Sequence, residues 1–106
     1  MSWTEPKFII TLKGDFRMGM VRLHRDLLKA GDICLGGGFY EFDRSSNRLL
    51  LDDISTDFGE PRWNILEGNG TPLRLPEALR GLTIIYQYDD YSQDYVVTDR
   101  LTVEYV

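Results

Sequence analysis

The stretch Lys7-Phe8-Ile9-Ile10-Thr11-Leu12-Lys13-Gly14-Asp15-Phe16-Arg17-Met18-Gly19-Met20 decides the fold class. Phe8, Ile10 and Leu12 alternate with Lys7, Thr11 and Lys13, and the dipeptide Gly14-Asp15 then separates this run from a second apolar one. A Gly-X loop between alternating runs predicts a β-hairpin, because glycine supplies the positive φ that a primed turn requires. Its strands are residues 7–13 and 16–25. A helix competes for the second, since Phe16, Met20, Leu23 and Leu27 also recur at helical spacing and Gly31 stands where a helix would stop. Gly19 in its interior weighs toward the strand, with a helical turn over residues 26–30 compatible with either.

Outward from this hairpin, Ile33-Cys34-Leu35-Gly36-Gly37-Gly38-Phe39-Tyr40-Glu41-Phe42-Asp43 reads as a strand, and Arg44-Ser45-Ser46-Asn47 as the turn into a partner over residues 48–54. Residues 55–81 hold three of the four prolines and four of the ten glycines and keep no sustained period. They predict a long connection with one helical turn at Pro76-Glu77-Ala78-Leu79-Arg80-Gly81, proline first and glycine past the end. A connection of that length is a natural place for function. Residues 82–88 and 95–105 read as two further strands joined through Asp89-Asp90-Tyr91-Ser92-Gln93-Asp94. The expectation is a single, mostly β domain: about six antiparallel strands in a small barrel or two-layer sandwich, with one short helical turn.

Composition bounds the classes open to such a chain. With 106 residues, 42% of them hydrophobic and 27% charged, one core suffices. The apolar runs are far shorter than the roughly 20 residues of a transmembrane helix. The start, Met1-Ser2-Trp3-Thr4-Glu5-Pro6, has neither a basic nor an apolar leader region, which points to the cytoplasm. The lone Cys34 agrees with a reducing compartment. The net charge of −5 lies wholly in residues 54–106, which carry four basic and nine acidic residues, while residues 1–53 carry eight of each. Such a field repels phosphate backbones and attracts a basic partner, so nucleic-acid binding is disfavoured.

Several motifs bear on chemistry. Gly36-Gly37-Gly38 lacks the spacing of a phosphate loop or a dinucleotide fingerprint, and glycines within a strand mark a bend, a bulge or close approach of another backbone. No cofactor is expected. Asp57-Phe58-Gly59 matches a kinase tripeptide, but the chain has no other kinase motif, and Ser55-Thr56-Asp57 reads as a turn. One His, one Cys and no ligand spacing predict no metal site. Asp52-Asp53 and Asp89-Asp90 lack calcium-loop spacing and read as turn acids. His24, the only histidine, is the weak catalytic candidate, with Asp57 or Asp26 as its carboxylate partner.

The most unusual composition is residues 86–95, where four of the six tyrosines and three aspartates fall at a hairpin tip. Tyrosine gives large contact area at low entropic cost, and interleaved Asp selects Lys or Arg opposite. The leading expectation is therefore a non-catalytic binding or interaction domain for a protein partner with a basic surface. Its binding residues would be Tyr88, Asp89, Asp90, Tyr91, Asp94 and Tyr95, with Arg22 in support. A second copy could also pair along a sheet edge. The alternative is a small enzyme or ligand-binding β-barrel with a pocket around His24.

Overall fold

The computed structural model describes residues 3–87 and 94–106. β1 (Glu5–Thr11) pairs antiparallel with β2 (Phe16–Val21) in the register Phe8↔Met18 and Ile10↔Phe16, and Gly14 in the connection has φ 94°. The expected hairpin is thus present, but β2 stops at Val21 rather than residue 25. The Lys7 ammonium donates to the carbonyls of Val21 (3.5 Å) and Arg22 (3.0 Å), and the chain turns into a 3-10 turn, His24–Leu27. The Asp26 carboxylate fixes this turn by accepting the Leu23 amide at 3.0 Å.

β3 (Cys34–Asp43) changes partner along its length. Residues 34–39 pair with β1, and residues 40–43 pair with β4 (Arg48–Leu51), both antiparallel. The three glycines sit just before this change of partner. A methyl group on Gly36, Gly37 or Gly38 would overlap the carbonyl oxygen of Glu60, Phe8 or Asp52 respectively, and Gly36 adds a φ of 110°. Close backbone approach is therefore what the triplet provides.

Residues 52–82 then cross the sheet. They contain α1 (Trp63–Asn69), β5 (Leu73–Leu75) and a 3-10 turn at Glu77–Leu79, the last at the expected place. Because the chain crosses over, β6 (Thr83–Tyr86) returns parallel to β4. β7 (Tyr95–Val96) pairs antiparallel with β6, so the last hairpin forms. The strand expected over residues 95–105 is broken by α2 (Val97–Arg100), which buries Val97 and Leu101 on one side, and resumes as β8 (Val103–Tyr105) parallel to β5. Val106 continues that ladder, donating its amide to Leu75 (2.9 Å) and accepting the Glu77 amide (3.0 Å).

The result is a six-stranded sheet, β2-β1-β3-β4-β6-β7, facing a second layer built from α1, α2 and the β5-β8 pair. The core between the layers joins Phe8 and Ile10 of β1, Leu49 and Leu51 of β4 and Ile84 of β6 to Trp63, Leu66, Leu73, Leu75 and Val97. A mostly β, two-layer sandwich is thus correct, with two corrections: among the described residues eight strands form instead of six, and two of the strand pairs are parallel. The radius of gyration, 13.0 Å, is that of a compact domain of this length. Among the described residues, no helix is long and apolar enough to cross a membrane.

A charged chain ties the first hairpin to the second layer. Asp15 accepts from Arg74 Nη2 (2.6 Å) and Nε (2.9 Å) and from Arg17 Nη2 (3.2 Å), and Arg17 also holds Asp32. The Arg17 guanidinium, with the Lys29 amide behind it, holds the Asp32 carboxyl well below the usual range, at about 2. Since the folded state then takes up this proton less readily than the unfolded chain, its stabilising effect is complete above the unfolded value of about 4 and disappears as pH falls toward 2. Asp32→Asn should therefore lose stability at neutral pH and show a shallower decline of the thermal midpoint on acidification below about pH 4.

The glycine triplet gives a second expectation. Gly37→Ala and Gly38→Ala should each cost at least about 1–3 kcal/mol, the range for overpacking against an immovable neighbour. Gly68→Ala, inside α1 with nothing within 4 Å of the added methyl, should be neutral or stabilise by about 0.5–1 kcal/mol. Urea unfolding of the three variants checks the contrast.

Candidate functional site

The bend in β3 brings the segment after β4 beside the chain after β2, and two recesses open there with Phe39 lining both. The smaller, of about 250 Å³, gathers Glu5, Lys7, Arg22, His24, Thr56 and Asp57. Arg22 and His24, neighbours on the chain after β2, meet Asp57 from the segment after β4 in this lining.

The chemistry inside this pocket is largely committed to structure. His24, only 4% exposed, places Nε2 2.9 Å from the Gly38 carbonyl and stacks on Phe39 with ring centroids 5.9 Å apart. A carbonyl only accepts, so Nε2 is the donor in this bond. Asp57 lies 3.6 Å from Arg25 Nε, and Asp26 holds the Leu23 amide. Neither carboxylate is hydrogen-bonded to His24 among the described residues. Lys7 spends its three donors on Glu5 Oε1 (3.0 Å) and two carbonyls, with Nζ 5.3 Å from the Phe39 ring centre. Arg22 is exposed at the rim and has no ion-pair partner among the described residues. The pocket thus presents one uncommitted guanidinium and one imidazole face.

The larger recess, about 380 Å³, is lined by Pro6, Phe39, Tyr40, Glu41, Leu50, Leu51, Asp52 and Gln87. Its two charged groups are both acidic. Asp52 Oδ1 accepts the amides of Phe39 (2.7 Å) and Ile54 (3.0 Å), which locks the turn out of β4, while Glu41 is exposed. Tyr40 meets Phe42 edge to face at 5.8 Å. Gln87 stands where the chain leaves β6 for the tyrosine- and aspartate-rich tip.

Of the expected contact residues, Tyr88, Asp89, Asp90 and Tyr91 lie outside the described residues. Asp94 is exposed. Tyr95 anchors the base of the hairpin: its ring stacks on Trp63 at 6.3 Å, Arg100 lies over it at 5.0 Å, and its hydroxyl donates to Glu67 Oε1 at 2.8 Å. Burial, then the bond to Glu67, raises its hydroxyl pKa, while Tyr95 and Arg100 lower that of Glu67. Glu41 and Tyr40 were not singled out from the sequence, and Asp52 was read there only as a turn acid. The available signal was Glu41 itself, a charge interrupting Phe39-Tyr40-Glu41-Phe42 on the face opposite Tyr40 and Phe42.

No group of three or more His, Cys, Asp or Glu among the described residues is placed to hold a metal. Burial pushes the Cys34 thiol pKa up, which leaves it a poor nucleophile. Comparison with protein-family models, curated proteins and solved structures yields no match to this chain. Its function is therefore argued from its own residues.

His24→Phe should keep the stack on Phe39 yet remove the histidine's hydrogen bond to the buried Gly38 carbonyl, costing about 1 kcal/mol. Equilibrium unfolding of this variant measures how far the histidine serves the fold.

Proposed function

We propose that this chain is a non-catalytic interaction domain that recognises a protein partner through basic side chains, seating a lysine or arginine in the cleft of Phe39, Tyr40, Glu41 and Asp52. The observation that carries this reading is the make-up of that cleft: aromatic walls, only acidic charges, and a position at the root of the tyrosine- and aspartate-rich hairpin. A cation entering it meets the Glu41 and Asp52 carboxylates beside aromatic residues, and their attraction strengthens as water is displaced. The net charge of −5 favours the approach of a basic partner. Asp89, Asp90 and Tyr91 at the tip extend the contact in this reading.

A second reading has one observation in its favour. The exposed Arg22 guanidinium beside His24 and Thr56 would suit a small anionic ligand in the 250 Å³ pocket. It ranks below the first because the other ionisable groups there are already paired.

The test uses a fluorescein-labelled peptide of alternating arginine and glycine, with a glutamate and glycine peptide as control. Anisotropy should rise for the arginine peptide alone, and affinity should fall with added salt. Glu41→Gln should weaken binding several-fold, and Asp90→Asn with Tyr91→Ala by roughly tenfold or more. Both variants should stay within about 0.5 kcal/mol of the parent in stability. Binding that ignores salt, or that Glu41→Gln leaves intact, removes the proposal.

A further inference from the structure

A third recess, separate from the acidic cleft, lies between the β3–β4 turn and the 3-10 turn at Glu77–Leu79. It has a volume of about 510 Å³, a size typical of small-molecule sites. Its charged lining is entirely cationic, Arg44, Arg48 and Arg80, with the Asn47 amide beside them and Phe42 and Leu82 among its apolar residues. We infer that this groove binds an organic phosphate monoester, the phosphate held by the three guanidiniums and the organic body laid against the apolar floor.

The arginines are already positioned for this. Arg48 grips Asp43 through Nε (3.2 Å) and Nη2 (2.7 Å), and Arg80 grips Glu77 through Nε (2.6 Å) and Nη2 (2.9 Å). Both therefore spend the same edge of the guanidinium on a carboxylate, and among the described residues the two N–H groups of Nη1 have no hydrogen-bond partner. Arg80 also lies over Tyr105, its Cζ 4.4 Å from the ring centre. Arg44 has no ion-pair partner among the described residues and is held by stacking over Phe42 at 5.1 Å. The side-chain entropy that binding would otherwise cost is thus partly spent in advance.

Counting Asp43 and Glu77, the groove keeps one uncompensated positive charge in a chain of net charge −5. Two of its arginines belong to residues 1–53, which are neutral overall. At physiological salt, charges beyond about 8 Å are largely screened, so the local sign prevails. A tetrahedral phosphate offers oxygens in several directions and can accept from more than one guanidinium, whereas a carboxylate offers two in one plane.

Phenyl phosphate is the probe, titrated calorimetrically into the full chain with benzoate and inorganic phosphate as comparators. Saturable binding is expected for phenyl phosphate, roughly tenfold tighter than for either comparator. Arg44→Ala and Arg80→Gln should each weaken it roughly tenfold. Arg44→Lys, which keeps the charge and loses the fork, should also weaken it. Arg44 contributes only an exposed ring stack, so its variants should retain the parent thermal midpoint. Absence of saturation, benzoate or inorganic phosphate binding as tightly as phenyl phosphate, or an unchanged affinity in Arg44→Ala would each overturn the assignment.

Discussion

Three carbonyl oxygens, those of Phe8, Asp52 and Glu60, occupy the space that side chains would fill on Gly37, Gly38 and Gly36. The rest of the architecture follows from this approach. It lets β3 pass from β1 to β4, and it lets the segment after β4 fold back so that Gly59 accepts the Gly37 amide at 3.2 Å and Arg62 donates to Leu35 at 2.8 Å. Glycine raises the entropy of the unfolded chain, a cost these backbone hydrogen bonds offset. His24 completes the junction by bonding the Gly38 carbonyl from the other side of the chain. Phe39, the first residue past the triplet, consequently lines both recesses of the candidate site.

The β3–β4 hairpin separates surfaces of opposite sign. Glu41 and Asp52 mark one end, and Arg44 and Arg48 at the turn, with Arg80 beside them, mark the other. The formal charge of −5 hides this arrangement, since net charge governs long-range steering while the nearest few groups govern recognition. A chain that is acidic as a whole can therefore present a cationic groove, provided its guanidiniums are held by partners that leave some donors uncommitted.

Local signals in the sequence carried much of this fold. Alternation and turn chemistry located β1, β2, β3, β4 and the final hairpin, and the glycine triplet was legible as a place of close backbone approach. The elements that escaped are those whose reason is tertiary. α1 has no side-chain cap at its start and contains Gly68 and Asn69; it is helical because Trp63 and Leu66 bury against the sheet. α2 interrupts an alternating run because Val97 and Leu101 both reach the core in a helical turn. The convergence of Arg22, His24 and Asp57 was legible as residue types but not as a place, since the bend that joins them lies in β3. The acidic cleft and the cationic groove were hidden for the same reason: each draws on segments distant along the chain.

The two parallel pairings also set the order in which the molecule can be assembled. β4 must wait for β6 across residues 52–82, and β5 pairs as a ladder with residues 103–105, about 30 residues further on, with Val106 bonded to Leu75 and Glu77. Non-local pairings of this kind slow folding, because loop closure must precede the contacts that reward it. During synthesis, the first hairpin and β3–β4 can form early, while the core face remains partly uncovered until residues 97–105 emerge. The nascent chain thus passes through a stage in which Phe8, Ile10, Leu49 and Leu51 lie on a sheet that lacks its second layer, a state prone to association with other chains.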